Sequence, residues 1–428
     1  MKHVLSCILT LLLLLSLIAC GGRSSEKPNN TDESDPSVVD AVREPTQGPE
    51  SEPSQKSNPE LQPTVEPEPA PEPDPGPLGI TWSLVDGTLT IGGRGPMDNY
   101  NYNFKEPPPW GDEREEILTA VIAPGVTSIG SDTFSACLNL TSVTIPDSVV
   151  SIGRGAFNRC ESLTDVAIPS GVTKIERSTF SGCVNLVNAP IPNGVTAIEE
   201  YAFSDCHSLT GVIIPDSVAE IEGHAFQYCK SLTSVAVPNS VISMGYSVFY
   251  RCSSITTVTL SNRLIRIEPE TFAGCGNLIS VTIPNSVTSI GSGAFDFCES
   301  LTSITIPDSV TAIEDSAFAE CVSLTDVIIP SKVTSIGQGA FLNCNSLSGV
   351  TISNGVVSLA PAVFQSCSSL TSITIPNSVT TVERDLFLKC SSLTDIYYAG
   401  SADQWNALTA GVELSIPDSA TVHYNAIP

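Results

Sequence analysis

From residue 114 to residue 398 the apolar positions of this chain recur in a frame of 23 residues, without an insertion or deletion between its cysteines. The cysteines mark the frame: Cys137, Cys160, Cys183, Cys206, Cys229, Cys252, Cys275, Cys298, Cys321, Cys344, Cys367 and Cys390. Counted from each of them, Phe stands at −3 in every unit and Leu at +3 in all but one, where Ile255 replaces it. Apolar residues follow at +6 and +8, usually Pro at +9, Val at +12 and Ile at +15. The alternation of the V-x-I piece predicts a short strand with one buried face. Pro at +9, followed by Asp or Asn and then Ser or Gly, as in Pro146-Asp147-Ser148 and Pro192-Asn193-Gly194, has turn chemistry and ends that strand. The positions at +12 and +15 carry the chain on in extended form, and the i, i+3 spacing of Ala-Phe-x-x-Cys suits one tight helical turn. One unit therefore reads as one coil.

A single coil cannot bury enough apolar surface to offset the entropy of ordering it, so the units must stack. Stacked parallel strands lie about 4.8 Å apart, which gives twelve coils a length of roughly 60 Å. Residues Arg114 to Ile129, with Ile117, Ile122 and Val126 in register, add a degenerate coil at the front. The ends need covers, because an open ladder edge invites aggregation. At the front, residues 78–113 contain Ile80, Trp82 and Leu84, then Asp86-Gly87, then Leu89 and Ile91, a hairpin signature. At the back, residues 399–428 contain Ser401 with Gln404, a capping box for a short helix through Leu408 on which Trp405 is placed to plug the last coil.

The unit L-x-x-V-x-I-P-x-x-V-x-x-I-G-x-x-A-F-x-x-C, clean at Leu278 to Cys298 and Leu301 to Cys321, resembles the BspA-type leucine-rich repeat of treponemal and Bacteroides surface proteins. The flanks match as well, through Trp82-Ser83-Leu84, Gly87 to Ile91 and Gly95, and through Tyr397 to Ser401, Gln404-Trp405 and His423-Tyr424-Asn425. The resemblance spans residues 114–398. It implies a leucine-rich-repeat solenoid, β-rich with short helical turns, of about 12 stacked coils between two caps. It also implies an exported surface protein, since members of that family include binders of host matrix proteins. It does not name a ligand, because fold does not imply function.

Charge narrows the partners. Asp and Glu number 46 against 19 Lys and Arg, a formal net charge of −27. Nucleic-acid affinity rests on basic neutralisation of phosphates, so DNA and RNA are set aside. The first residues give an address. After Lys2 and His3 comes the Leu-dominated run Val4 to Ala19, which as a helix spans only ~24 Å of a ~30 Å hydrocarbon core. It reads as a secretory signal peptide, residues 1–19. Its end, Leu17-Ile18-Ala19-Cys20-Gly21-Gly22, resembles the lipobox of bacterial lipoproteins. That resemblance implies cleavage before Cys20 and lipidation of its thiol, and anchoring by two or three acyl chains is stable. Residues 20–77 then carry 13 Pro, 13 acids and no aromatic residue. Such a segment builds no core and reads as an extended, self-repelling tether. An exported protein lifted off a membrane is the expectation, on the cell surface and in the outer membrane if the cell has one.

Candidate chemistry is sparse. Twelve periodic cysteines invite a disulfide or metal reading, but stacked coils point equivalent side chains in parallel, and no C-x-x-C or ligand-spaced His accompanies them. Buried thiols acting as small hydrophobes are expected instead. His207 and His224 fall on loops beside the Phe and Cys positions and His423 in the terminal cap, none within a nucleophile, base and orienter set. No enzyme activity, metal or cofactor is expected. Stacked carboxylates at Glu176, Glu199 and Glu222, and the row Asp147, Asn193, Asp216 and Asn239, form oxygen rows of the kind calcium uses. The sequence favours the plainer reading of solvated charges and ordinary turn residues.

The outward strand positions, +5 and +7, are more informative. They read Ser142 and Thr144, Thr257 and Thr259, Ser280 and Thr282, Ser303 and Thr305, Ser372 and Thr374, a polar and nearly uncharged ladder. The resemblance makes this the concave face of the solenoid. Departures cluster at Asp165, Pro190, Ile213, Asp326, Ile328, Asp395 and Tyr397. Ala167, Ile213 and Ala236 break the Thr row that an ice-binding array would need. Hydroxyls with a few apolar points suit docking of an extracellular protein or glycan. The competing reading is an envelope protein that acts through self-association or envelope partners.

Overall fold

The computed structural model describes residues 79–101 and 106–426. The leader, Cys20 and the Pro-rich segment lie outside them. The chain enters as a hairpin, Gly79–Val85 against Thr88–Pro96. Asp86 and Gly87 turn it with φ of 46° and 75°, the left-handed pair that a two-residue hairpin turn requires. Its second strand lies parallel to both Thr119–Ile122 and Val126–Ile129. It therefore serves as the first rung of the ladder as well as its cover, with Leu89 and Ile91 fully buried.

Within the repeat, paired rungs then match each residue with the one 23 positions on. In the V-x-I row Val235 faces Val258 and Val258 faces Val281; in the V-x-x-I row Ile290 faces Ile313 and Ile313 faces Ile336. The strands are short because the unit must turn three times in 23 residues. The V-x-I row is interrupted: after Ser142–Thr144 the next strand in it is Ser234–Ala236, with an isolated bridge between Asp165 and Asn188. Pro190 sits at +7 inside that gap and has no N–H to give the ladder, and Gly211 at +5 of the next unit adds backbone freedom.

Inside the coil, Phe134 through Phe387 form one column. Successive ring centroids lie 5.1–6.4 Å apart, with planes within 15° of each other. The cysteines run beside them, all buried and unpaired. From Cys160 to Cys390 each Sγ donates to the Phe carbonyl of the preceding unit at 3.0–3.3 Å. The thiol thus does two things alanine cannot: it fills the space and bonds a buried carbonyl. Burial pushes Cys183 and Cys390 up to about 12, so the reactive thiolate is suppressed.

The Ala-Phe-x-x-Cys segment closes by i→i−3 bonds, such as Cys137 N to Phe134 O at 3.0 Å. Two residues of each turn, at −5 and −1, are left-handed in all twelve units, from Asp132 and Ala136 to Asp385 and Lys389. This geometry aims the N–H groups at −5, −3 and −1 along the stack, as in Asp132, Phe134 and Ala136 to the carbonyls of Arg154, Ala156 and Asn158 at 2.7–2.9 Å. A further ladder therefore runs along the turn side. The Ser after Pro-Asp or Pro-Asn stitches the other corner: Ser217, Ser286 and Ser309 donate to the carbonyls of Val195, Leu264 and Val287 at 2.6 Å.

Aromatic residues close both ends. Trp110 is buried at the front, 6.3 Å from Phe134, with Trp82 and Tyr100 edge-on at 5.9 and 6.0 Å. Its Nε1 donates to Thr133 O at 3.2 Å. At the back, the helix Ala402–Thr409 carries the Ser401/Gln404 capping box and buries Trp405, 5.2 Å from Tyr398. Thr421–Tyr424 then returns as a last parallel rung beside Asp395–Tyr398. Among the described residues no helix is long and apolar enough to cross a membrane.

Candidate binding face

The pleat sends +6 and +8 into the core, so +5 and +7 face solvent. Ser142, Thr144, Asp165, Thr257, Thr259, Ser280, Thr282, Ser303, Thr305 and Asp326 are exposed, and Ser372, Thr374 and Asp395 are half-buried. The apolar departures are prominent: Ile213 is 86% and Ile328 66% exposed. The Thr residues at +4 spend their hydroxyls on the scaffold, as in Thr141 to Leu118 O at 2.9 Å and Thr371 to Ser348 O at 3.0 Å. By contrast, among the described residues none of the Ser and Thr hydroxyls named at +5 and +7 has a protein partner. Those groups are free to bond something else.

Two depressions open where this face meets the +9 corner. One, of about 620 Å³, lies beside Thr259 and Thr282, with Asn262 and Asn285 at its rim and Leu260, Ile283 and Pro284 beneath. The other, of about 430 Å³, lies beside Thr305, Asp326 and Ile328 and reaches Ser353. Both adjoin a unit in which Ser replaces the usual +9 Pro, at Ser261 and Ser353. Ser261 turns inward and donates to Val241 O at 2.7 Å instead of filling the corner with a ring. Asn262 and Asn285 escaped the sequence reading; the missing Pro at 261 was the available signal.

The end of the face is occupied differently. Asp395 Oδ1 lies 2.7 Å from His423 Nε2 and its other oxygen accepts from Thr394 at 2.8 Å. These hydrogen bonds, His423 foremost, hold its carboxyl below the usual range. Tyr397 stacks on His423 at 4.8 Å. Both residues thus belong to the C-terminal cap as much as to the face. His207 lies 3.6 Å from Asp205, and His224 is held between Tyr201 and Tyr246, each 4.6 Å away. The carboxylate row at +16 is engaged by the scaffold: Glu199 accepts from Arg177 N at 3.2 Å and from Lys174 Nζ at 3.3 Å, and Glu222 from Glu200 N at 3.1 Å. Burial and the neighbouring Glu199 push Glu176 up. No group of three His, Cys, Asp or Glu among the described residues is arranged to hold a metal ion.

The family model for the BspA type leucine-rich repeat region matches residues 114–233, 196–324 and 289–407 in six copies. The chain belongs to this family. The BspA-type solenoid is similar to the leucine rich cell surface protein of Faecalibacterium prausnitzii, at 30% identity over 79% of this chain and 97% of that one, with a TM-score of 0.46. It also resembles the pneumococcal vaccine antigen PcpA, at 18% identity over 81% and 97% of the two chains with a TM-score of 0.50. A leucine-rich repeat protein of Bacteroides ovatus matches at 20% identity over 81% and 98%, with a TM-score of 0.48. No curated protein matches the chain. The BspA-type fold presents repeated surface positions on a rigid frame, the architecture of an interaction module.

Proposed function

We propose that this BspA-type chain is a surface-displayed lipoprotein that binds extracellular protein or glycan through the +5/+7 face. The observation that carries the reading is the row of unpartnered hydroxyls, interrupted by exposed Ile213 and Ile328 and bordered along its middle units by two depressions. Hydroxyls and carboxamides supply orienting bonds while a few apolar points supply the burial that makes an interface adhere. The scaffold itself costs the ligand little ordering, because its strands are fixed from both sides.

A Thr282→Arg, Ile328→Arg double variant is expected to keep the parent Tm and to lose most binding to immobilised mucin and matrix proteins. Undiminished binding, or no binding by the parent together with self-association, would remove the reading. The lipobox-like Leu17-Ile18-Ala19-Cys20 supports the anchor. Cys20→Ala should move the protein from the membrane fraction to the soluble or secreted fraction, and protease added to intact cells should release the solenoid of the parent. Membrane retention of Cys20→Ala would show that the anchor lies elsewhere.

A further inference from the structure

The +5/+7 face is not the only part of this molecule built to receive something. At the turn that carries −2, −1 and +1, three successive units read Tyr250-Arg251-Cys252-Ser253, Ala273-Gly274-Cys275-Gly276 and Asp296-Phe297-Cys298-Glu299. The middle unit offers nothing larger than a methyl group on its surface. A cavity of about 470 Å³ opens between the outer two, a size in the range of small-ligand sites. Gly274 keeps the notch open: a Cβ there would lie 2.7 Å from Arg251 Cγ. Gly276 is bare for no packing reason, since nothing lies within 4 Å of where its Cβ would be.

The walls differ in chemistry. On one, the Arg251 guanidinium rests over the Tyr250 ring at 5.4 Å and beside Tyr228 at 6.0 Å, with no carboxylate partner among the described residues. Lys230 stands next to it. On the other, Phe297 is 49% exposed, and Asp296 and Glu299 flank it. Burial, with Glu320 and Glu270 nearby, pushes the Asp296 carboxyl up to about 6. One wall thus donates hydrogen bonds, the other accepts them, and each contributes an aromatic ring.

We propose that this notch is a saccharide subsite that takes one neutral hexose or N-acetylhexosamine unit of a glycan, packed on Phe297 and Tyr250 with its hydroxyls bonded to Arg251 and Asp296. A sugar hydroxyl both donates and accepts, so it matches both walls at once, and its C–H face meets the negative face of an aromatic ring. A fully anionic ligand would meet Asp296 and Glu299 inside a chain of net charge −27. A cationic one would meet Arg251 and Lys230. The notch is separate from the +5/+7 face, so success or failure at one does not decide the other.

The test uses the purified full-length protein in detergent against an array of neutral hexose and N-acetylhexosamine oligosaccharides, with titration of the best binder. Phe297→Ala is expected to weaken binding about tenfold, roughly the worth of one ring platform. Gly276→Val should abolish it. Val184 and Val322 occupy the equivalent place in other units, so this variant is expected to fold with an unchanged Tm, and the Thr282→Arg, Ile328→Arg variant should bind the saccharide as the parent does. The assignment is wrong if no neutral saccharide binds, if only charged ligands bind, or if Phe297→Ala and Gly276→Val bind like the parent.

Discussion

Phe272→Ala is expected to destabilise the protein by about 3–5 kcal/mol and to turn its unfolding into two steps. The ring is fully buried between Phe249 and Phe295, at 5.7 and 5.5 Å, so its removal leaves a void that the stacked backbone cannot collapse to fill. Two further losses follow from position. The Phe272 carbonyl receives the Cys298 thiol at 3.3 Å and its N–H bonds Ala294 O at 2.9 Å, so local loosening weakens both interunit bonds. In a nearest-neighbour solenoid a weak link in the middle uncouples the two halves. Urea denaturation followed by circular dichroism should therefore show a lower onset and two transitions in place of one. Phe297→Ala, one unit on and half-exposed, is the internal control and should move stability by no more than about 0.5 kcal/mol. Equal effects from the two substitutions would mean that the Phe column is not the core.

Trp110→Ala should cost a similar amount, about 3–5 kcal/mol, but the damage should stay at the front. Trp110 covers Phe134, is itself covered by Trp82 and Tyr100, and satisfies the Thr133 carbonyl. Without it, the first coils lose their lid and their apolar face meets water. Hydrogen exchange is expected to quicken from residue 79 to about the unit of Cys160 while the units beyond Cys252 keep their protection, because openings in such stacks are local. Light scattering should rise with concentration as uncovered faces associate. Uniform loss of protection along the chain would show that the front cap holds the whole stack rather than its end.

The parts of this fold that were plain in the sequence are those where one residue type meets one demand. Phe at −3, Cys at the origin and Leu at +3, replaced once by Ile255, are read correctly because only a buried, repeated environment selects them so regularly. Ser401 with Gln404, and Asp86-Gly87, announce the helix cap and the hairpin because their side chains or φ angles make the structure directly. The left-handed residues at −5 and −1 were silent for the opposite reason. They are filled by Ser, Asp, Ala, Arg, Tyr, His, Glu, Phe, Asn and Lys as well as Gly, since interunit hydrogen bonds impose the conformation and no side chain signals it. Trp110 was missed because it stands outside the repeat frame and pairs with a partner chosen only by folding.

The candidate face was legible as alternation, yet its two depressions were not, because they depend on what Ser261 and Ser353 fail to fill. The notch at Gly274 was written in the sequence only when read across the units, down the column Arg251, Gly274, Phe297, and not along the chain. Surface sites in a solenoid run down columns, so residues that line one site can stand 23 or 46 positions apart and share no local motif.

The turn-side bonds hand each unit the same seam to offer its successor, whichever unit that is. An unequal recombination that removes or inserts one whole unit would therefore leave both new junctions chemically matched, provided the aromatic lids at the two ends survive. The length of this molecule is thus free to drift among close relatives while its cross-section is not, and reach, rather than shape, is the property that selection can adjust most cheaply.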